Sequence, residues 1–304
     1  MDLTILFSPI DESIYTKSYP SNSFFKSIKV YGDKMPDFRG VDVALFGVKE
    51  ERGTNSNAGC NKGPDEIRRK LYNLKKGNGS YRIVDLGNLN TGIDLDETYV
   101  RISEVCRILL ENNVMPLILG GSHDLDYGQY RGYEEMEKLI SLLNIDAFLD
   151  LEDSQESAPA NQHIHKILLH EPNYLLSYTH LAHQLYLIDP LSVSILEKLY
   201  FEAFRIGQMR NNLAEMEPAI RNADLLSFDV TAIRSSDAPG NANAQPFGLT
   251  GEEACQLCWY AGMNEKLSSV GFYEYNPDRD DTNKKNGLGS GYDDLVFYRR
   301  VLPS

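Results

Sequence analysis

The chain has few cysteines, a single tryptophan and too little positive charge for a polyanion binder. Lys and Arg total 30 against 44 Asp and Glu, a net charge of -14. Binding to nucleic acid or to an anionic membrane needs a basic surface, so neither partner is expected. No apolar run approaches the roughly 18 residues of a membrane span. The start, Met1-Asp2-Leu3-Thr4-Ile5-Leu6-Phe7, has no basic segment and no small-residue cleavage site. No signal peptide is therefore expected, and a cytoplasmic location is. The four cysteines are at positions 60, 106, 255 and 258. Cys255 and Cys258 form a CxxC with no second pair, on one face of an expected helix, so they read as core thiols in a reducing compartment. There is no internal repeat and no low-complexity linker.

What is present is an alternation of apolar runs and helical patterns. Val41–Val48 is unbroken apolar, as a strand covered on both faces would be. Gly63-Pro64-Asp65-Glu66-Ile67 opens a helix, with proline at its first position and acids in its first turn. Further strands are expected at Tyr81–Leu86, Met115–Leu119, Leu142–Phe148, Leu181–Ile188, Leu225–Val230 and Val270–Tyr275. Helices are expected at Asp96–Asn112, Asp124–Leu139, Ile195–Phe204 and Glu252–Gly262, the last behind a capping box of Thr250 and Glu253. Strands separated by helices predict a three-layer α-β-α domain with a mostly parallel sheet. This domain is placed at residues 41–304, with 1–40 an unassigned N-terminal extension. The loops Ser154–Asn161 and Ala238–Gly248 are the long ones expected to carry function.

Polar groups collect at the ends of these strands, where ligands bind in such folds. Leu117-Ile118-Leu119-Gly120-Gly121-Ser122-His123 ends a strand in a glycine turn that presents a histidine. Asp146 and Asp150 leave the next strand, Asp229 ends another, and Glu274 follows the last. His123, Asp146, Asp150 and Asp229 together read as a divalent-metal site, because carboxylate and imidazole ligands suit manganese, magnesium or zinc. Singly, each could cap a helix or bond backbone.

Five ordered segments, spread from about Val41 to Asp280, carry a resemblance. They are Gly59-Cys60-Asn61-Lys62-Gly63-Pro64-Asp65-Glu66-Ile67-Arg68, Gly120-Gly121-Ser122-His123, Asp146-Ala147-Phe148-Leu149-Asp150, Ser227-Phe228-Asp229-Val230-Thr231 with Ala238-Pro239-Gly240, and Glu274-Tyr275-Asn276-Pro277. The chain resembles the ureohydrolases (arginase, agmatinase and formimidoylglutamase), with a tone closest to the last. The resemblance implies hydrolysis of a C–N bond in a small linear amidine or guanidine by two manganese ions sharing a hydroxide. The first ion's ligands are all present in His123, Asp146, Asp150 and Asp229. The second ion's exclusive ligands are replaced by Phe148 and Thr231, so one ion is expected and the second is doubtful. The alternative is a ureohydrolase fold without catalysis, kept as a binding or assembly module.

The resemblance also implies roles at other positions. In Asn161-Gln162-His163, His163 corresponds to a proton-shuttling histidine, with His165 a competitor, and Asn161 to a substrate contact. Asp189 of Asp189-Pro190 corresponds to a group that holds the substrate amine, with Ser192 where a glutamate is expected. Glu274 corresponds to the group that grips the amidine. Arg234 replaces an acid, and a cation there would oppose metal loading. After Pro277 the family's long helix is missing. Asp278–Tyr292 is polar and glycine-rich, with only Asp293–Val301 helix-forming. One face of the last strand could thus be left for a partner subunit, consistent with a homo-oligomer.

Overall fold

The computed structural model describes residues 3–75, 81–210 and 212–282. Its centre is a ten-stranded sheet. In chain order the strands are β1 (Phe7–Ser8), β2 (Lys29–Val30), β3 (Val43–Val48), β4 (Ile83–Leu89), β5 (Met115–Leu119), β6 (Ile140–Ile145), β7 (Leu175–His183), β8 (Glu202–Arg205), β9 (Leu225–Asp229) and β10 (Ser269–Tyr273). They are arranged β1-β4-β3-β5-β10-β9-β6-β7-β8, with β2 also beside β4. Every pairing is parallel except that of β1 with β4. This is the mostly parallel α/β fold expected from the alternation of patterns.

Successive residues of a strand face opposite sides, and here both sides are covered. Val43 and Leu45 of β3 enter one apolar layer with Ile67 and Leu71 of the helix Gly63–Leu71 and Leu257 of the helix Gly251–Gly262. Ala44, Phe46 and Val48 enter the other, with Ile102, Val105 and Leu109 of the helix Leu95–Glu111. The described part of the extension unassigned from the sequence, residues 3–40, joins the same structure. It supplies β1 and β2 and buries Leu3, Leu6, Ile10, Ile14 and Phe24. No helix among the described residues is long and apolar enough to cross a membrane.

Several expected boundaries move. The stretch Asp124–Leu139 is helical only over Asp126–Arg131, after a 3-10 turn His123–Leu125. The helix expected at Ile195–Phe204 runs instead from Pro190 to Lys198, N-capped by Asp189. Tyr200 then takes a positive φ of 59°. That reverses the chain, so Glu202–Arg205 becomes the edge strand β8. The strand expected at Leu181–Ile188 is Leu175–His183. The capping box is as expected, with Glu253 N–H donating to Thr250 Oγ1 at 3.1 Å and Thr250 N–H to Glu253 Oε2 at 2.7 Å. Cys258 is buried and Cys255 half-buried. The last strand is not under-covered: β10 lies in the middle of the sheet with all five residues buried. Residues 283–304, including the short helix expected at Asp293–Val301, lie outside the described residues.

One buried ion pair fixes the first helix to the sheet. The fully buried Arg68 guanidinium donates Nε to Asp85 Oδ2 at 2.8 Å and Nη2 to Asp85 Oδ1 at 2.9 Å. Its remaining donors reach the Gly87 carbonyl at 2.8 Å and Asn88 Oδ1 at 2.6 Å. Tyr72 donates its hydroxyl to Asp85 Oδ2 at 2.6 Å. Asp85→Ala would leave the buried guanidinium with only Asp65, 3.5 Å from Nη1, as counter-charge. We expect a loss of about 3–5 kcal/mol in urea unfolding; a loss below about 1 kcal/mol would contradict the assignment.

Two buried histidines set an acid limit. His180 sits between the Tyr178 hydroxyl (2.8 Å) and the Asp146 carbonyl (3.1 Å). Burial, then the neighbouring His183, holds its pKa down to about 3. Burial, then Arg205, holds His183 at about 4. In the unfolded chain both return to about 6.5. The unfolded state therefore binds more protons, so this stability is complete above about pH 6.5 and is lost as pH falls toward 4 and then 3. His183→Gln should flatten stability against pH between 6 and 4.5 by up to about 1.4 kcal/mol per pH unit. Parallel curves for variant and parent would refute this.

Candidate metal centre and its cavity

The strand ends are held together by backbone before any side chain acts. Gly120 N–H donates to the Phe272 carbonyl at 2.7 Å, Ser122 N–H to the Glu50 carbonyl at 3.1 Å, and Glu274 N–H to the Gly121 carbonyl at 2.8 Å. The turn after β5 is thus clamped between the ends of β3 and β10. A Cβ on Gly121 would lie 1.7 Å from the Glu50 oxygen, so only glycine fits. Asp150 and Glu274 hold positive φ values of 50° and 67°, conformations that cost energy and cluster at functional sites.

His123 starts its 3-10 turn 1% exposed. Its Nδ1 faces three carboxylates: Asp146 Oδ2 at 3.1 Å, Asp229 Oδ2 at 3.2 Å and Asp150 Oδ2 at 3.6 Å. Its other nitrogen, Nε2, is 2.9 Å from Ser227 Oγ. Ser227 donates its one hydroxyl proton to Asp126 Oδ2 at 2.9 Å. It must therefore accept from His123 Nε2–H, and in the neutral ring Nδ1 is left as a lone pair. Asp126 Oδ1 is 2.7 Å from His163 Nδ1, and His163 Nε2 is 3.0 Å from Asp150 Oδ2. A chain of hydrogen bonds thus runs from His123 through Ser227, Asp126 and His163 to Asp150.

The other oxygens of Asp146 and Asp229, and both oxygens of Glu274, are occupied by protein donors. Asp146 Oδ1 accepts from Thr231 Oγ1 at 2.6 Å and Phe148 N–H at 3.1 Å. Asp229 Oδ1 accepts from Thr231 N–H at 2.7 Å. Glu274 accepts from His123 N–H at 2.9 Å and from Asn57 Nδ2 at 2.6 Å.

Electrostatics show the strain of the arrangement. Burial, then Glu274's neighbour Asp229, pushes the Glu274 carboxyl up to about 8. Burial, then Asp150, raises Asp146; burial, then Asp146, raises Asp229. Burial opposes charge on His123, but the three carboxylates outweigh it and raise the ring well above the ordinary range. Burial likewise opposes charge on His163, yet Asp126 outweighs it and lifts the ring to about 9.

A divalent cation fits this donor set. His123 Nδ1 and Asp146 Oδ2 are buried, 3.1 Å apart, and neither makes a hydrogen bond. Orphaned buried polar atoms are costly. An ion between them would satisfy both, with Asp229 and Asp150 completing an imidazole and carboxylate set suited to a hard or borderline metal. The described residues also group as His123, Asp146, Asp229 and as His123, Asp150, His163.

The cluster floors a cavity of about 410 Å³. Of the residues singled out from the sequence, His123, Asp146, Asp150, Asp229, Glu274, Asn161 and Asp189 all line it. Asn161 and Asp189 stand exposed at the mouth. Asn161 Nδ2 donates to Glu152 Oε1 at 3.3 Å, and Asp189 Oδ1 accepts from Leu191 N–H at 2.9 Å. Phe148, Thr231 and Ser192 line the cavity too. His163 is buried behind Asp150 with both ring nitrogens engaged. His165 is half-buried on the helix His163–Leu168. Arg234 does not line the cavity and pairs with Asp237 at 2.8 Å, so it opposes no cation there. Sequence reasoning missed Asp126, Ser227 and Asn57. Two signals were available: Asp126 is one helical turn past His123, and Ser227 shares a strand face with Asp229.

A model of the arginase family matches residues 41–290. The formimidoylglutamase of Streptococcus gordonii is 23% identical over 95% of each chain. That of a Geobacillus species is 25% identical over 97% of this chain and 98% of the relative. The fold is shared with solved structures. The Trypanosoma cruzi formiminoglutamase, solved with Mn2+, has a TM-score of 0.78 at 20% identity, covering 86% of this chain and 95% of that one. The Bacillus subtilis formimidoylglutamase has a TM-score of 0.80 at 18% identity, covering 91% of both.

Asp126 touches no proposed ligand oxygen of the cavity, yet it orients His123 through Ser227. Asp126→Ala should weaken Mn2+ binding by about 10–100-fold, the usual cost of losing a partner that orients a ligand. Titration calorimetry on the folded variant reads this; unchanged affinity would show that the chain of hydrogen bonds does not orient the histidine.

Proposed function

The chain belongs to the arginase family, and from that premise we propose that it is a metal-dependent hydrolase of a C–N bond in a small linear amidine or guanidine, working with one firmly held manganese ion. The observation that supports this is the orphaned pair His123 Nδ1 and Asp146 Oδ2, with Asp229 Oδ2 and Asp150 Oδ2 aimed at the same point. His123, Asp146, Asp150 and Asp229 are its ligands. When bound, the ion supplies Lewis acidity, which makes water a nucleophile near neutral pH and polarises the substrate.

The chain's own residues do the rest. Glu274, on the cavity wall, is placed to meet the amidine, whose positive charge would draw its raised carboxyl back to the charged form. Asn161 and Asp189 at the mouth contact the remainder of the substrate. His163 is the proton store: its Nε2, 3.0 Å from Asp150, is placed to return a proton toward the leaving amine through that carboxylate.

The single-ion reading draws support from the oxygens a second ion would use. Such an ion would need oxygens of Asp146 and Asp229 that Thr231 and the Phe148 backbone already occupy. Phe148 brings no lone pair, and Thr231 has turned its hydroxyl into a donor. The same two residues favour a second reading, in which the fold binds a ligand or assembles without hydrolysis.

Metal content and turnover separate these. The chain purified with manganese should carry one ion per subunit and release urea or formamide from at least one of arginine, agmatine and formiminoglutamate. One ion with no turnover of any would favour the binding module. Two ions would sink the single-ion reading. Phe148→His with Thr231→Asp should raise the count to two; unchanged uptake would show that these are not the positions of the second ion's ligands.

A further inference from the structure

Glu274 stands in a backbone conformation that most residues avoid. Its φ of 67° lies in the left-handed region, and the residue is buried. Such a conformation persists only where the surroundings over-determine it. Here they do. Its N–H donates to the Gly121 carbonyl at 2.8 Å. Its carbonyl accepts from the side-chain amides of Asn57 at 2.9 Å and Asn241 at 2.8 Å. Its carboxylate accepts from His123 N–H at one oxygen and from Asn57 Nδ2, at 2.6 Å, at the other. Asn57 therefore meets Glu274 at the backbone and at the carboxylate together.

Asn57 is fully buried, and its amide is saturated. An asparagine side chain has two N–H donors and one oxygen with two lone pairs. Both donors go to Glu274. The oxygen accepts from Ala242 N–H at 3.0 Å and from Asn276 Nδ2 at 3.0 Å. A backbone N–H only donates and a carbonyl only accepts, so these partners fix which way the amide faces. Aspartate would keep the shape without a donor. Glutamine would force an extra methylene into a closed site.

The same bonds join two loops of the cavity wall. Residues 51–59 bring Thr54 and Ser56 to it, and residues 238–248 bring Asn243. Asn243 Nδ2 donates to Ser56 Oγ at 3.0 Å, but that bond is exposed. The buried link between the loops is the one from Ala242 to Asn57. Residues 51–59 also reach the mouth, where the Gly53 carbonyl accepts from Ala160 N–H at 2.9 Å.

We propose that Asn57 is a positioning residue: it holds Glu274 in this conformation and aim, and it makes residues 51–59 and 240–243 part of one frame with it. The consequence for substrate binding rests on the hydrolase reading, in which Glu274 meets the substrate. The consequence for the frame does not.

Two readouts on the full, manganese-loaded chain keep these apart. The first is amide hydrogen exchange. Asn57→Asp keeps the side chain's shape, removes both donors and sets a second carboxylate against Glu274. Exchange at His123 and Ala242 should rise by about tenfold or more, with β6 unchanged. Adding Glu274→Gln supplies a donor facing the new carboxylate and should bring both rates at least halfway back. Asn57→Ser, which is neutral, is read alongside in case the aspartate variant does not fold, with the same rise expected. Unchanged exchange at His123 and Ala242 overturns the proposal. So does a rise that Glu274→Gln leaves in place, since the damage would then not run through this pair.

The second readout is turnover of whichever of arginine, agmatine and formiminoglutamate is hydrolysed. Asn57→Asp should raise KM by about tenfold or more and leave kcat and Mn2+ affinity within about threefold, the pattern of a lost substrate contact. A residue that only supports the fold would lower kcat and Mn2+ affinity as well, and that result overturns the positioning role. No turnover by the parent chain removes the hydrolase reading, and exchange alone then decides whether Asn57 holds Glu274.

Discussion

Four acidic groups and one imidazole are gathered where little water reaches, and the surroundings are organised to make that tolerable. Asp146, Asp150, Asp229 and Glu274 repel one another, and burial raises three of them toward the protonated form. Backbone N–H groups, a threonine hydroxyl and an asparagine amide take up one side of each cluster oxygen set. What they leave is a set of oxygens aimed at a single lone pair. A proton on His123 relieves part of the repulsion; a divalent cation relieves more, because it answers several carboxylates at once.

The same balance gives Thr231 a role of its own in the cluster. An aspartate there would add a fifth negative charge to a cluster that already struggles to hold four. Threonine instead donates a hydrogen bond to Asp146 from its hydroxyl and one to Asp229 from its backbone N–H. A threonine here therefore holds the neighbouring carboxylates without adding to their repulsion. Phe148 differs in kind: it turns part of the cavity wall apolar and lets its backbone serve Asp146.

The sequence made the sheet readable because strands buried on both faces appear as unbroken apolar runs; Met115–Leu119 is placed to the residue. The site was readable for the same reason, since a polar residue just past such a run stands at the strand's end. What was hidden depends on long-range pairing. Lys29–Val30 is too short to show a period, yet it lies beside β4. Leu199 continues a helical pattern, but the reversal at Tyr200 ends it. Asp126 looked like an ordinary acid in a first helical turn. Only the approach of Ser227 and His163, from residues about a hundred and about forty positions on, gives it a task.

The position of β10 has a consequence for assembly. Residues 7–119 make one half of the sheet, β1-β4-β3-β5, and residues 140–229 make the other, β9-β6-β7-β8. Among the described residues the two halves pair only through β10, at positions 269–273. His123 follows the first half; Asp146, Asp150 and Asp229 belong to the second. The proposed metal ligands therefore face one another across a seam that closes only after most of the chain has been made. Contacts of such large sequence separation form late and slowly. A divalent ion lodged there would act as a rivet across the seam, so loading and completion of the fold would be a single event rather than two.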